Sequence, residues 1–191
     1  MTTQQATAIS NDIIGLYSRY GGEEYAGEKV TQLQHMVQAA QLAEQQGYEE
    51  DVILAAFLHD IGHICVSATE DNEMDGYGIK DHEEVGAEFL RERGFSEPLI
   101  SLVVSHVQAK RYLTFSDPEY YAQLSDASKK TLEYQGGPMT AAEAAEFEKS
   151  PLVKLIIQMR RWDEEAKIEH LPVPDLVTYR DMMVRHLEKQ N

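Results

Sequence analysis

The chain is poor in the residues that staple, anchor or positively charge a protein. Cys65 is the only cysteine in 191 residues, so no disulfide can close within the chain. That fits a reducing compartment, and the expected location is the cytoplasm. No run approaches the roughly 20 apolar residues that a membrane-spanning helix needs, which excludes such a span. The N-terminal MTTQQATAIS has neither the basic start nor the apolar stretch of a secretion signal. Positive charge is scarce too: 17 Lys and Arg stand against 33 Asp and Glu, a formal net charge of −16. Such a surface repels phosphate backbones, so nucleic acid is not an expected partner. A small anionic substrate would need a local cationic pocket. Valine- and threonine-rich alternation long enough for a sheet is missing, as are repeats, low-complexity tracts and linker-like stretches.

What is present reads almost throughout as helix. Between Val30 and Gln46, the residues Leu33, Val37, Ala40 and Ala43 recur at helical spacing before a stop at Gly47. Asp51 to His63, DVILAAFLHDIGH, predicts an apolar helix buried on most sides. Residues 64 to 80 hold acids, Asn72, Gly76 and Gly78 and read as a loop. Asp81 offers an N-cap with Glu84 as capping-box partner, opening the helix HEEVGAEFLRER, which ends at Gly94. Further helices are expected over Ser96–Arg111, Thr140–Lys149, Pro151–Glu165 and Asp175–Lys189, with a polar helical stretch after Pro118 and a break at Gly136, Gly137 and Pro138. The expectation is an all-α fold, a single globular helical bundle over residues 1–191, with enough chain for a proper core.

Four imidazoles stand out on this scaffold: His35, His59, His82 and His106. Asp60 follows His59 directly in FLHDIGH, and Asp163 comes later in RRWDEE. A lone histidine in an apolar helix is more often a hydrogen-bonded core residue, and an isolated His-Asp dipeptide is common by chance. The set is what carries weight. Intervals of 24, 22 and 24 residues separate His35 from His59, Asp60 from His82, and His82 from His106. Imidazole and carboxylate suit first-row metals, and an aspartate can bridge two of them. The donors exceed what one ion usually takes from protein, so the pattern points to a dinuclear site at the centre of the bundle. Such sites typically perform oxygen or phosphorus chemistry.

The order H…HD…H…H…D resembles the HD-domain superfamily in its six-ligand, two-metal version. The runs EEYAGEKVTQLQH, HDIGH, HVQAKRYL, LSDASKKTLEYQGGPM and RRWDEE are similar to the 2-amino-1-hydroxyethylphosphonate dioxygenase family, mixed-valent di-iron oxygenases that form glycine. The similarity runs over nearly the whole chain. It implies one iron on His35, His59 and Asp163, another on His82 and His106, and Asp60 between them. It also implies a Tyr25 that holds a coordination position until substrate arrives, and a Glu28 that pairs with a substrate amine. His63, Lys110, Ser128 and Arg160 match the positions that hold a phosphonate. The cofactors implied are two iron ions, Fe2+ and Fe3+, with O2 as co-substrate.

Spacing agrees at several points. His63 follows His59 by four residues, Lys110 follows His106 by four, and Arg160 precedes Asp163 by three, so each donor is expected one helical turn from a proposed ligand. Lys110 and Arg160 taken alone would be ordinary surface charges. Tyr25 alone would be a packing residue; as a ligand it would bind as phenolate. The expected substrate is a small zwitterionic phosphonate, with a primary or N-trimethylated amine. The alternative on the same scaffold is a metal-dependent phosphohydrolase acting on a small phosphate ester; Tyr25 and Glu28, which a hydrolase does not need, favour the oxygenase. A catalytically idle metal-bound regulator and an oxygenase for an inositol-like polyol fit less well. Oligomeric state is not encoded in any local pattern here.

Overall fold

The computed structural model describes residues 1–25 and 27–190. Among these residues ten α-helices and one short 3-10 turn account for the regular structure, and strand-like pairing is confined to two isolated antiparallel bridges, Glu24–Thr31 and Glu73–Ile79. The all-α expectation holds. No described helix is long and apolar enough to cross a membrane.

Helix α1, Thr3–Tyr20, is an element that the patterns above do not anticipate. Its polar opening hides a sparse stripe of buried residues, Ala6, Ser10, Ile13 and Tyr17, spaced three or four apart. The stripe packs on the C-terminal α10, Val177–Lys189. Helix α2, Gln32–Gln45, starts at a capping box: Thr31 Oγ1 accepts from the Gln34 N–H, and the Gln34 side chain accepts from the Thr31 N–H.

Helix α3, Glu50–Leu58, is the apolar centre, with every residue from Ile53 to Leu58 buried. It packs on α2, on α10 and on two further helices, α5 (Glu97–Ser116) and α9 (Val153–Glu165). The sequence predicts that it continues to His63. Instead it stops at Leu58; His59 is its C-cap, and Asp60 leads into a 3-10 turn over Ile61–His63. The His59–Asp60 pair therefore lies at a helix end, not within one.

Helix α4, His82–Arg91, follows the loop over 64–80, as expected. The anticipated capping box does not form. Asp81 sits at the N-cap but with φ 54° and ψ 30°, and makes no side-chain capping bond. A capping side chain reaches the first-turn N–H groups from an extended backbone, which this left-handed conformation is not. Helix α5, Glu97–Ser116, outruns its predicted end at Arg111. The polar stretch beyond it resolves into α6, Pro118–Gln123, and α7, Asp126–Tyr134. Then come α8, Ala141–Phe147, and α9, Val153–Glu165. A continuous buried apolar cluster joins α1, α2, α3, α4, α5, α9 and α10, with Trp162 and Phe57 fully buried in it.

One close approach sets the geometry of the motif HDIGH. A Cβ placed on Gly62 would lie 1.9 Å from the backbone oxygen of His82. Only glycine lets the 3-10 turn lie this tightly on the start of α4, and that contact brings Asp60 and His82 into the same space.

Candidate metal centre

Five separate elements deliver the proposed donors to one buried point. His35 comes from α2, His59 and Asp60 from the end of α3, His82 from the first turn of α4, His106 from α5 and Asp163 from α9. All six are buried. The histidines are anchored in one manner. Their Nδ1 atoms lie 2.9, 2.8, 3.3 and 2.7 Å from the backbone oxygens of Ala166, Ala56, Ile79 and Val103 respectively. A backbone oxygen only accepts, so Nδ1 carries the hydrogen and each Nε2 turns a lone pair inward.

Those lone pairs converge in two groups. His35 Nε2 lies 3.2 Å from His59 Nε2, and His82 Nε2 lies 3.1 Å from His106 Nε2. Asp60 stands between the groups. Its Oδ2 is 3.4 Å from both His35 and His59, and its Oδ1 is 3.2 Å from both His82 and His106. Asp163 Oδ1 completes the first group, 3.3 Å from His35 Nε2. Two clusters able to hold a cation result: His35, His59, Asp60 and Asp163, and Asp60, His82 and His106.

The residues fit a pair of metal ions. Facing imidazole lone pairs at about 3 Å repel unless a positive charge lies between them. Asp60 Oδ1 is buried with no hydrogen-bond partner among the described residues, an arrangement that is costly unless a cation satisfies it. The local field draws positive charge. Burial pushes the His59 pKa down, yet the Asp60 carboxylate outweighs it and the value rises to about 9. Burial likewise opposes ionisation of Asp60 and Asp163, but His59 and Arg160 respectively hold each well below the usual carboxylate range.

The donors expected to hold an anion line a cavity of about 40 Å³ against this centre. Lys110 is buried on α5 and donates to Thr131 Oγ1 at 2.8 Å. Burial first, and the nearby Arg160 second, lower its pKa to about 7. Arg160, also buried, donates from Nε to Tyr120 at 3.0 Å, and from Nη2 to Ser128 Oγ at 3.2 Å and to Glu164 at 2.9 Å. Its Nη1 binds Asp163 Oδ2. Arg160 thus orients the carboxylate whose other oxygen faces His35, and most of its fork is already engaged. His63 takes part by a different route from the helical face foreseen for it. Its ring stacks on His82 at 4.0 Å, and its Nδ1 accepts the Ile79 N–H at 3.0 Å, leaving an Nε2 hydrogen to donate. Burial holds that imidazole neutral, its pKa well below the ordinary value.

Tyr25 closes the cavity from the metal side. Its ring stacks on His35 with centroids 3.9 Å apart, and its hydroxyl donates to Asp60 Oδ2 at 2.9 Å. Glu28 lines the same cavity, but its carboxylate is occupied: Lys167 Nζ donates to it at 2.7 Å and Ser125 Oγ at 2.6 Å. Sequence patterns alone do not single out Lys167, Ser125 or Thr131. Lys167 does carry a signal, since it follows Asp163 by four residues as Lys110 follows His106; it lies just beyond the end of α9.

Comparison with known proteins adds to this geometry. Residues 33–133 match the HD domain. The chain belongs to the HD-domain family. It is 46% identical over 175 residues to a 1-hydroxy-2-(trimethylamino)ethylphosphonate dioxygenase (glycine-betaine-forming) of Leisingera caerulea, covering 92% of this chain and 88% of that one. It is 42% identical over 160 residues to a hydroxymethylphosphonate dioxygenase of Gimesia maris, covering 83% and 78%. A protein of Acanthamoeba polyphaga mimivirus described as uncharacterized is 42% identical over 179 residues, covering 94% and 82%. The resemblance to HD-domain phosphonate dioxygenases seen in the sequence is borne out.

Proposed function

We propose that this HD-domain protein is a di-iron dioxygenase that cleaves the carbon–phosphorus bond of a small 1-hydroxyphosphonate of the 2-amino-1-hydroxyethyl type. The amine would be primary or N-trimethylated, and the products glycine, or an N-methylated glycine, and phosphate. The observation that carries this reading is the Asp60-centred pair of donor sets facing a cavity lined by Lys110, Ser128, Arg160 and Glu28. The names of two relatives, both phosphonate dioxygenases, support the reaction class.

In the net reaction the carbon–phosphorus and carbon–hydrogen bonds of C1 break, C1 becomes a carboxylate and phosphorus leaves as phosphate. Both atoms of O2 are taken up and one proton is released. Two iron ions, one held by His35, His59 and Asp163 and one by His82 and His106, with Asp60 serving both, would relay electrons from the substrate to O2 and supply Lewis acidity. The chain's own groups do the rest. Lys110, Ser128, Arg160 and the Nε2 hydrogen of His63 hold the phosphonate oxygens by charge-assisted or neutral hydrogen bonds. Arg160 also fixes Asp163. Tyr25 stands over the centre until substrate displaces it, and Glu28 faces the amine end. The same reading has residues 1–191 acting as one domain in the cytoplasm, with no nucleic-acid or membrane partner.

The test is to load the protein with iron without oxygen, add substrate and then O2, and measure phosphate and amino acid against oxygen consumed. Coupled mixed-valent iron in the Mössbauer spectrum and release that depends on O2 are expected. Full-speed phosphate release without oxygen, with magnesium or manganese, would overturn it in favour of the phosphohydrolase.

A further inference from the structure

Glu28 is the one carboxylate among the cavity-lining residues that takes no part in the two donor clusters, and it is already paired with a cation from its own chain. Lys167 Nζ lies 2.7 Å from Glu28 Oε1 and 3.5 Å from Ser125 Oγ, so Glu28, Ser125 and Lys167 form one closed set. Both charged side chains are largely buried, at 18% and 15% exposure. A carboxylate facing a cavity that also holds Lys110 and Arg160 is the natural seat for the cationic end of a zwitterion. Here that seat is taken.

Lys167 also stands at a boundary. It and Ser128 line both the inner cavity and an outer pocket of about 380 Å³, whose walls include Asp117, Glu164 and Glu165. A Lys167 side chain released from Glu28 can swing outward on its flexible stem and find carboxylates there. Kept in place, it neutralises Glu28, so that a substrate without an amine leaves no buried carboxylate unpaired.

We propose that Lys167 is a specificity-determining residue: its ammonium competes with a substrate ammonium for Glu28, which lets the pocket accept 1-hydroxyphosphonates that carry no amine. This rests on the phosphonate dioxygenase reading above. A primary ammonium displaces Lys167 by replacing its hydrogen bond to Glu28 in kind. A trimethylammonium donates no hydrogen bond and displaces it less well. The two named relatives act, by their names, on a phosphonate with a cationic head and on one without. Competition at Glu28 is a means by which one scaffold can be tuned between such substrates.

The experiment compares kcat/KM for 2-amino-1-hydroxyethylphosphonate and for hydroxymethylphosphonate, using iron-loaded wild-type protein, Lys167→Met, Lys167→Arg, and both Glu28→Gln and the Glu28→Gln/Lys167→Met pair. Lys167→Met should shift the ratio of the two constants toward the amine by about tenfold or more, the factor for 1.4 kcal/mol of differential binding. Lys167→Arg, which keeps the cation, should hold the ratio near wild type. In the Glu28→Gln background the second substitution should leave the ratio unmoved, because the competition has no carboxylate to act on. A ratio unchanged by Lys167→Met, or changed equally with and without Glu28, overturns the proposal while leaving the proposed reaction standing. Failure of the wild type to consume O2 with either phosphonate overturns the reaction itself, and the proposal with it.

Discussion

Tyr25 donates its hydroxyl hydrogen to Oδ2 of Asp60, the same oxygen that lies 3.4 Å from His35 and from His59. The tyrosine thus reaches the shared carboxylate from the side of the first donor cluster, where its ring is already stacked on His35. Burial, and then the charge of Asp60, push the Tyr25 pKa well above its ordinary value. A residue so placed blocks one approach to the centre at the cost of one hydrogen bond.

Tyr25→Phe should keep the stacked ring and lose only that bond. Both metal ions should still bind, while the protected approach becomes open to oxygen in the absence of substrate. Oxygen uptake by the iron-loaded variant without phosphonate should rise several-fold over wild type. Uptake equal to wild type would remove the guarding role.

Asp60→Ala removes the only group among the described residues that faces both histidine pairs. Metal content, measured on folded protein by elemental analysis, should fall from two ions per chain to one or fewer. Chelation of the wild type should lower its unfolding free energy as well. The loss is about 2.7 kcal/mol for each site held at roughly 100 times its Kd. Retention of two ions by Asp60→Ala contradicts the bridge.

Lys110 carries the pH prediction. Its pKa, lowered to about 7 by burial and by Arg160, makes it cationic below that value and neutral above it. Affinity for a phosphonate dianion should therefore weaken as pH rises through 7, with binding above that pH accompanied by proton uptake. Stability runs the other way: the unfolded chain, with lysine near 10.5, binds more protons, so the substrate-free protein gains stability between pH 7 and 10.5. Lys110→Met should flatten both trends. Titration calorimetry and denaturant midpoints across that range measure them.

Gly62→Ala should be among the most damaging small substitutions. Its added carbon meets backbone atoms of His82 at 1.9 and 2.7 Å, and backbone cannot rotate aside. A loss of about 3 kcal/mol is expected, at the upper end for overpacking, together with weakened binding at the His82–His106 cluster. Thermal unfolding and metal content of the variant test this jointly. Wild-type values for both would show that the close approach is dispensable.

Much of the site is legible in the sequence because its chemistry is carried by residue type and order. His35, His59, Asp60, His82, His106 and Asp163 need no distance to be recognised as a donor set, and Lys110 and Arg160 follow from the family resemblance, with which their helical spacing agrees. The differences have local causes. HDIGH reads as the end of a long helix because its apolar run continues, whereas the chain turns at His59 to pack Gly62 on α4. The box expected of Asp81 and Glu84 has the right residue types but the wrong backbone. Helix α1 escapes the pattern because its buried stripe is thin and polar residues crowd its first turns.

Composition and order by themselves determined an acidic, helical chain with one cysteine, six candidate metal donors and a few cations spaced three or four residues from them. Those properties follow from residue chemistry and from the short repeat of a helix. Only the tertiary structure decided that His35 is tied through Nδ1 to the backbone oxygen of Ala166, that the two oxygens of Asp60 face different histidine pairs, and that Lys167 sits on Glu28. These relationships join positions far apart in the chain, Glu28 with Ser125 and Lys167 for one. Packing of helices α2, α3, α5 and α9 around one core sets such distances, and no local period encodes them.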